Sequence, residues 1–473
     1  MRVLKPDLCV IGAGSGGLSV AAGAVQLGAS VVLIEGHKMG GDCLNYGCVP
    51  SKALLAAGRQ AAAMRSGAPF GIAPAAPEVD FAAAKDRVEA VIAGIAPHDS
   101  QERFEGLGVT VLRDWARLVS PVRVVAGDAA IEARRFVIAS GSVPAVPPIP
   151  GLAEAGYFTN ETIFGLRDRP EHLLIIGGGP IGLEMAHAHR RLGSAVTVVE
   201  GATALGREDP ELAALLLAAL KAEGIAIIEG RKVEGAEGGD GRAALLREGG
   251  ERIEGSHLLV AVGRQPNLER LDPEAGRITV TKAGVAVDAR LRSVSNRRVY
   301  AVGDAAGLGQ FTHLAGYHAG VVIRSALFAL PAKARGDHVP RATFTSPELA
   351  QVGMTEAEAR ESHGKRLEVL RFDYAENDRA RAEGLESGRI KVMVVRGRPV
   401  GAGIVGAQAG ELIALWALVL AGGMKIGAVA NMVAAYPTLS EVSKRAAGQY
   451  YVPRLFENGR VKRAVRFIQR WVP

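Results

Sequence analysis

Two stretches of the chain repeat one pattern. Each has a short apolar run, a GxGxxG turn, a helix of mostly small residues, a second apolar run and a closing glutamate. The copies read DLCVIGAGSGGLSVAAGAVQLGASVVLIE and EHLLIIGGGPIGLEMAHAHRRLGSAVTVVE. Corresponding residues lie 165 positions apart, namely Gly12, Gly14, Gly17 and Glu35 in the first copy and Gly177, Gly179, Gly182 and Glu200 in the second.

This pattern predicts a strand–turn–helix–strand unit that binds a dinucleotide. The first glycine permits the tight bend, the second lets the backbone approach a pyrophosphate, and the third lets helix and strand pack closely. The helix N-terminus adds amide donors, and the glutamate is placed to accept from a ribose hydroxyl. One such turn is weak support, but two complete copies predict two dinucleotides rather than two turns that bind nothing.

Size and charge narrow the class of protein further. A chain of 473 residues is long enough for two to four domains. The net charge is +7, but five cations lie between Arg460 and the end of the chain, so the rest of the chain is nearly neutral. It therefore lacks the clusters of basic residues that are typical of nucleic-acid binding. The N-terminal sequence lacks a signal-peptide pattern, and the longest apolar run is too short to span a bilayer. We therefore expect a cytoplasmic, reducing location.

Two of the three cysteines lie close together in GGDCLNYGCVPSK, just after the first unit. Pro50 predicts a helix start, which places Cys48 near a helix N-terminus, where a thiolate is stabilised. Lys52 lies one turn further on and faces the same side. This arrangement favours Cys43 and Cys48 as a redox-active disulfide beside a flavin.

Two other interpretations of the cysteines are a zinc site and a pair of inert thiols. Zinc needs about four ligands, but Cys9 lies in a predicted core strand and no histidine cluster accompanies the pair, so we predict no metal site. Two inert buried thiols remain an alternative, although the glycines and the helix start favour exposure to a cofactor.

Several motifs together resemble those of the pyridine nucleotide-disulfide oxidoreductases, a family that includes dihydrolipoamide dehydrogenase and mercuric reductase. They are GGDCLNYGCVPSK, the two GxGxxG turns, IASGSVP, AVGRQPN, YAVGDAAG and FTSPELAQVGMTEAEA, and they cover essentially the whole chain. The resemblance implies an α/β chain with two Rossmann-like domains and a C-terminal α+β dimerisation domain. It places an FAD domain at 1–150 and 271–340, an NAD(P) domain at 151–270 and the dimerisation domain at 341–473.

The resemblance also implies roles for single residues. Cys48 corresponds to the thiol that contacts the flavin, Cys43 to the thiol that exchanges with substrate, and Lys52 to the lysine near the flavin, paired with Glu184. Electrons then pass from nicotinamide through FAD to the cysteine pair and on to an acceptor. The FAD-binding positions are Gly12, Gly14, Gly17, Glu35, Lys52, Ser140, Gly141, Gly303 and Asp304, and the NAD(P)-binding positions are Gly177, Gly179, Gly182, Glu200 and Gly263.

One position departs from relatives that act on small disulfides. Those relatives carry a histidine and a following glutamate, supplied by the partner subunit of a homodimer. Here NMVAAYPTLSEVSKRAA keeps Glu441 but has Tyr436 in the histidine position. A phenol has an ordinary pKa near 10 and is a poor base at neutral pH. Mercuric reductase resembles this chain at Tyr436, but this chain ends RFIQRWVP, without the terminal cysteine pair of mercuric reductases.

The acceptor therefore stays open between a disulfide or dithiol and a thiophilic metal ion. Two other functions are also considered. One is a diaphorase or quinone reductase that bypasses the cysteines, and the other is a non-catalytic, dinucleotide-sensing partner of a membrane complex. Glu200 favours NADH, since its carboxylate repels a 2′-phosphate, whereas Arg207 leaves NADPH open.

The C-terminal sequence NGRVKRAVRFIQRWVP predicts an amphipathic helix. Val461, Val465, Ile468 and either Trp471 or Val472 fall on one stripe, and basic residues occupy the other faces. Such a helix is typical of contact with a membrane surface and also of docking onto the chain's own dimer, which we favour from the sequence.

Overall fold

The computed structural model describes residues 1–239 and 241–472, which divide into two units. The first unit comprises Met1–Ser66, Pro74–Gly201 and Ile228–Arg335. The second comprises Gly67–Ala73, Ala202–Ile227 and the chain from Gly336 onward.

The first unit contains most of the strands. Its strands are Arg2–Leu4, Leu8–Ile11, Val31–Ile34, Thr110–Leu112, Arg117–Ser120, Arg123–Ala126, Ala129–Ile131, Arg135–Ile138, Ser142–Pro144, His172–Ile176, Ala195–Glu200, Val233–Gly239, Arg242–Arg247, Arg252–Gly255, His257–Val260, Arg264–Pro266, Val280–Thr281, Gly284–Val285 and Val299–Ala301. Its α-helices are Ser15–Gln26, Gly41–Asn45, Cys48–Arg65, Phe81–Ile95, Gln101–Gly106, Leu152–Ala155, Pro180–Arg191 and Thr312–Ala326.

The first strand–turn–helix–strand motif, residues 7–35, forms the centre of a five-stranded parallel sheet. The strand order is Val299–Ala301, Arg135–Ile138, Leu8–Ile11, Val31–Ile34, Thr110–Leu112. The strands read as continuous apolar runs because both faces of the sheet are covered by buried residues.

The second strand–turn–helix–strand motif, residues 171–200, also lies at the centre of a parallel sheet. Strand His172–Ile176 pairs in parallel with Ala195–Glu200 on one side and His257–Val260 on the other. An antiparallel sheet of Val233–Gly239, Arg242–Arg247 and Arg252–Gly255 shares an apolar cluster with it.

The two glycine turns have matching geometry. Gly12 and Gly177 adopt φ values of +106° and +112°, a region that favours glycine. A Cβ on Gly17 would lie 1.8 Å from the carbonyl oxygen of Gly12, and one on Gly182 would lie 2.1 Å from that of Gly177. Only glycine therefore lets each helix rest directly on its strand.

The second unit combines an antiparallel sheet with helices. Its strands, in sheet order, are Arg341–Thr343, Glu348–Gly353, Arg398–Gly406, Arg389–Val395 and Leu367–Asp373. Its α-helices are Pro210–Ala222, Glu356–His363, Asp378–Ala382, Ala409–Ala421, Ile426–Ala430, Glu441–Gln449 and Gly459–Trp471. One further strand, Ala226–Glu229, spans the sequence boundary between the units.

A buried cation lies in the sheet of the second unit. Lys391 is 3% exposed, and its Nζ lies 2.8 Å from both Asp209 and Glu211 and 2.8 Å from Glu356. Asp209, itself 2% exposed, also caps the helix Pro210–Ala222 by accepting from two backbone amides. The cluster therefore joins that helix to the face of the sheet.

The predicted fold class is confirmed: the first unit has two parallel sheets, each with a glycine turn, and the second is α+β. The predicted domain boundaries stay predictions, and the segment 202–227, assigned above to the nicotinamide domain, lies in the second unit. Within residues 1–239 and 241–472, no helix combines the length and apolar character needed to cross a bilayer.

We expect Lys391→Met to destabilise the protein by about 3–5 kcal/mol, since it leaves the buried carboxylate of Asp209 without its cation. The measurement is the change in the free energy of unfolding in guanidinium chloride. Arg379→Met breaks an exposed ion pair with Glu383 and serves as the control, with an expected cost below about 0.5 kcal/mol. Equal effects of the two substitutions would contradict this account of the cluster.

Candidate active site

Gly14 and Gly179 leave open space in front of two helices, Ser15–Gln26 and Pro180–Arg191. Both have extended backbone, φ −83° and −78°, so conformation alone does not require glycine. Among the described residues, a Cβ on Gly14 would meet only the Gly41 Cα, at 3.9 Å, and one on Gly179 would meet nothing within 4 Å. The space fits a bound pyrophosphate, which needs close approach to a helix N-terminus.

The closing glutamates return to their own glycine turns. Glu35 Oε2 accepts a hydrogen bond from the amide of Ala13 at 2.6 Å. Glu200 Oε2 accepts from the amide of Gly178 at 2.8 Å, and Gly178 is the counterpart of Ala13 in the second copy. Each carboxylate therefore lies at the position where a nucleotide ribose is expected.

A third turn, at Ser140 and Gly141, lies against the first glycine turn. The position of a Cβ on Gly12 is 3.0 Å from the Ser140 amide nitrogen. The Ser140 hydroxyl is buried and has no hydrogen-bond partner among the described residues. Leaving a buried hydroxyl without a hydrogen bond costs about 1–3 kcal/mol of folding free energy. The Ser140 hydroxyl is therefore expected to hydrogen-bond to a bound ligand. Gly141 and Gly263 also have positive φ and open space at their Cβ positions.

Asp304 lies on the short 3₁₀-helix Gly303–Ala306 and accepts from the Ser142 hydroxyl at 2.5 Å. Burial raises the pKa of Asp304. The amide of Gly303 donates to His318 Nδ1 at 3.2 Å. Burial lowers the pKa of His318 to about 4, so the ring is neutral at pH 7 and Nδ1 can accept this bond. His318, which no motif singled out, therefore holds the turn that carries Asp304.

Cys43 and Cys48 are both free thiols, and each has the largest influence on the pKa of the other. Cys43 lies in the short helix Gly41–Asn45, and Cys48 begins the helix Cys48–Arg65. The hydrogen bond from Cys43 lowers the pKa of Cys48 to about 6 and raises the pKa of Cys43 itself. The Thr312 hydroxyl, 3.4 Å from Cys48 Sγ, lowers the Cys48 pKa further. At neutral pH the reduced pair is therefore a Cys48 thiolate beside a Cys43 thiol.

Lys52 and Glu184 meet as predicted, with 2.7 Å between Nζ and Oε2. Glu184 is buried on the helix Pro180–Arg191, whereas Lys52 is partly exposed one turn after Cys48. This pair joins the helix of the cysteines to the helix of the second glycine turn. The positive charge of Lys52 also favours the Cys48 thiolate.

Arg264 holds the cysteine loop from a distant strand, a role that the sequence did not reveal. Its guanidinium donates to Asp42 Oδ1 at 2.9 Å, to Asn160 Oδ1 at 3.1 Å and to the Ser142 hydroxyl at 2.7 Å. Asn160 donates in turn to Asp42 Oδ1 at 3.0 Å and to the Tyr46 carbonyl at 3.2 Å. Arg264 is the arginine of the AVGRQPN motif quoted above, but that motif gave no indication of its partners.

Tyr436 and Glu441 lie in the second unit. The Tyr436 side chain is 69% exposed, and its hydroxyl donates to Asp378 Oδ2 at 3.1 Å. This hydrogen bond, with the nearby charges of Asp378 and Glu441, raises the pKa of Tyr436. Asp378 is thus a partner that the sequence analysis missed, since only Glu441 was expected there.

No group of three or more His, Cys, Asp or Glu side chains is placed to hold a metal ion in the part of the chain that the structure describes.

Comparison with known proteins identifies the class. Residues 6–352 match the family model of the pyridine nucleotide-disulphide oxidoreductases, and residues 339–447 match the dimerisation domain of the same family. The chain therefore belongs to the pyridine nucleotide-disulphide oxidoreductase family. It is an FAD-dependent oxidoreductase that uses NAD(P)H and carries a dimerisation domain.

Two curated relatives and one solved structure illustrate the range of the family. The mercuric reductase of Lysinibacillus sphaericus is 31% identical over 446 residues, which cover 93% of this chain and 82% of that protein. The dihydrolipoyl dehydrogenase of Bacillus subtilis is 31% identical over 450 residues, which cover 93% and 97%. The Cu(II) complex of the HOCl-induced flavoprotein disulfide reductase RclA from Escherichia coli aligns with a TM-score of 0.84 and 28% identity, covering 93% and 98%.

Replacing the second glycine of each GxGxxG turn, Gly14 or Gly179, with alanine tests the two dinucleotide-binding turns separately. Gly14→Ala is expected to fold, because the protein leaves room for the methyl group, but to lose FAD content by about tenfold or more. Gly179→Ala is expected to keep FAD and to raise the Kd for NAD(P)H by about tenfold or more. FAD per chain is measured by visible absorbance and NAD(P)H binding by titration. Gly94→Ala, where a Cβ also meets open space, is the control. Full FAD content in Gly14→Ala would argue against the assignment of the first turn.

The pKa of Cys48 is measurable as the pH dependence of its alkylation. In FAD-free, reduced protein, we expect the rate of reaction with iodoacetamide to reach half its maximum near pH 6, since only the thiolate reacts. Lys52→Met removes a favourable charge and moves the midpoint up, whereas Asp42→Asn removes an opposing charge and moves it down. Mass spectrometry assigns the modified residue. A midpoint near the ordinary thiol value of about 8.5 would contradict the assigned geometry.

Proposed function

We propose that this enzyme works as a reductase that delivers the electrons of NADH to a thiophilic metal ion held by Cys43 and Cys48. The observation that carries this proposal is the state of Tyr436. The Tyr436 phenol stays protonated at neutral pH, since its pKa lies above the ordinary value near 10, and it already donates its proton to Asp378. It is therefore unsuited to accept a proton from a substrate dithiol.

A thiophilic metal ion needs no such base. Cysteine thiolates are soft ligands that select soft metal ions, and metal binding itself displaces the remaining thiol proton. With Cys48 as thiolate and Cys43 as thiol, only one proton leaves when both sulfur atoms bind the ion. Names among the relatives accord with this proposal, since they include mercuric reductases and a Cu(II) complex of a flavoprotein disulfide reductase.

Each side chain of the cysteine loop then has a defined task. Bound FAD supplies the two-electron carrier between NADH and the cysteine pair. Cys43 meets the acceptor first, and Cys48, a thiolate that Lys52 stabilises, faces the flavin and supplies the second sulfur ligand. Arg264 is a positioning residue that keeps Asp42 and the adjoining Cys43 in place and offsets the charge of Asp42.

We further propose that the active site is shared in a homodimer, with Tyr436 and Glu441 of one subunit facing the cysteine pair of the other. The dimerisation domain and the exposed Tyr436 side chain support this arrangement. The phenol then acts as a hydrogen-bond donor at the mouth of the site. A cytoplasmic location belongs to the same proposal, because the dithiol state requires a reducing compartment.

NADH is the proposed donor. The Glu200 carboxylate lies at the end of strand Ala195–Glu200 and is held beside the second glycine turn by the Gly178 amide. From there it accepts from a 2′-hydroxyl and repels a 2′-phosphate.

The test compares acceptors under anaerobic conditions. Oxidation of NADH is followed with Hg²⁺, Cu²⁺, lipoamide or glutathione disulfide as acceptor, and NADPH replaces NADH in parallel. We expect metal reduction to exceed disulfide reduction. Tyr436→His restores a base and is expected to raise disulfide reduction by about a hundredfold, the lower end of general acid–base effects. Tyr436→Phe is the matched control and gains nothing.

Cys43→Ser and Cys48→Ser complete the experiment. Both are expected to abolish reduction of every acceptor that needs the dithiol, while NADH-dependent ferricyanide reduction persists. Disulfide reduction by the unaltered enzyme that matches or exceeds metal reduction would overturn the metal proposal and leave the family assignment intact. Metal reduction that survives both serine variants would instead favour the diaphorase function.

A further inference from the structure

The C-terminal helix Gly459–Trp471 lies beyond residue 447, the last residue of the dimerisation-domain match. It is capped by Asn458, whose side chain accepts from the amide of Arg460 at 3.0 Å. None of its residues is buried. The helix is therefore a well-formed element, and most of its apolar side chains are exposed in the described chain.

Its apolar side chains share one face. At 3.6 residues per turn, Val461, Ala464, Val465, Ile468 and Trp471 fall within an arc of about 120°. Ile468 is 50% exposed and Trp471 75% exposed. Phe467, 66% exposed, lies beside this arc with its ring centroid 6.4 Å from that of Trp471. A large exposed apolar face of this kind indicates an interaction surface.

The opposite face is basic and has no acid. Lys462, Arg463, Arg466 and Arg470 fall within an arc of about 100°, centred opposite the apolar arc. Cations three and four residues apart repel one another on a helix. A helix that only docked onto protein would gain from acidic residues at these positions, whereas an anionic surface neutralises all four cations at once.

We propose that this helix binds the surface of an anionic phospholipid bilayer. Its apolar arc enters the boundary between headgroups and acyl chains, and its long basic side chains reach the lipid phosphates. Thirteen residues give a length of about 20 Å, so the helix lies in the plane of the surface and does not cross the bilayer. A second copy of the chain fits less well, because it brings the same uncompensated cations.

The test is co-sedimentation of the full-length, FAD-loaded protein with vesicles. One set contains phosphatidylcholine alone and the other phosphatidylcholine mixed with phosphatidylglycerol. We expect binding to the anionic vesicles only, with loss of binding as salt rises. Lys462→Gln with Arg466→Gln is expected to weaken binding about thirtyfold. Ile468→Ser with Trp471→Ser removes the apolar anchor and is expected to weaken it at least as much.

A matched control carries the same charge change elsewhere. Arg290→Gln with Arg297→Gln replaces two exposed arginines of the first unit and is expected to bind like the unaltered protein. FAD content and NADH-dependent ferricyanide reduction confirm that each variant folds. Failure of the unaltered protein to bind anionic vesicles would overturn the proposal, as would equal binding by the helix variants. Self-association that depends on this helix, without vesicle binding, would show that a second copy is the partner.

Discussion

Direct contact between a helix and a strand, permitted by glycine, is the constraint on which the rest of this structure depends. At Gly17 and Gly182 a single added carbon would lie within about two ångströms of a backbone oxygen. The helices therefore rest on the sheets at backbone distance, and their N-termini face the spaces at Gly14 and Gly179. The same seating fixes the helix that carries Glu184, so that its carboxylate reaches Lys52.

The chemistry of the cysteine loop follows from opposing charges held at fixed positions. Lys52 favours the Cys48 thiolate and Asp42 opposes it. Arg264 both holds Asp42 and offsets its charge. The strongest influence on the pKa of Cys48 is the hydrogen bond from Cys43, which lowers the pKa of Cys48 and raises that of Cys43. One sulfur atom is therefore a thiolate and the other a thiol. The pair is thus prepared to lose one proton and bind one acceptor.

The second unit carries Tyr436. Its sheet is joined to the helix Pro210–Ala222 by the buried cluster around Lys391. A phenol bound to Asp378 offers a hydrogen bond but no proton acceptor. We propose that a hydrogen-bond donor in place of a base changes which acceptors the cysteine pair serves well.

The sequence by itself determined the two dinucleotide units and the cysteine pair, because each rests on residues close together in the chain, where spacing dictates geometry. The fold class and the pairing of Lys52 with Glu184 followed from the resemblance to a known family. Only the tertiary structure decided which distant side chains meet: Arg264 with Asp42, Thr312 with Cys48, His318 with the Gly303 turn, and Asp378 rather than Glu441 with the Tyr436 hydroxyl. These contacts arise from the order of strands and the packing of helices, which bring together segments that share no local periodicity.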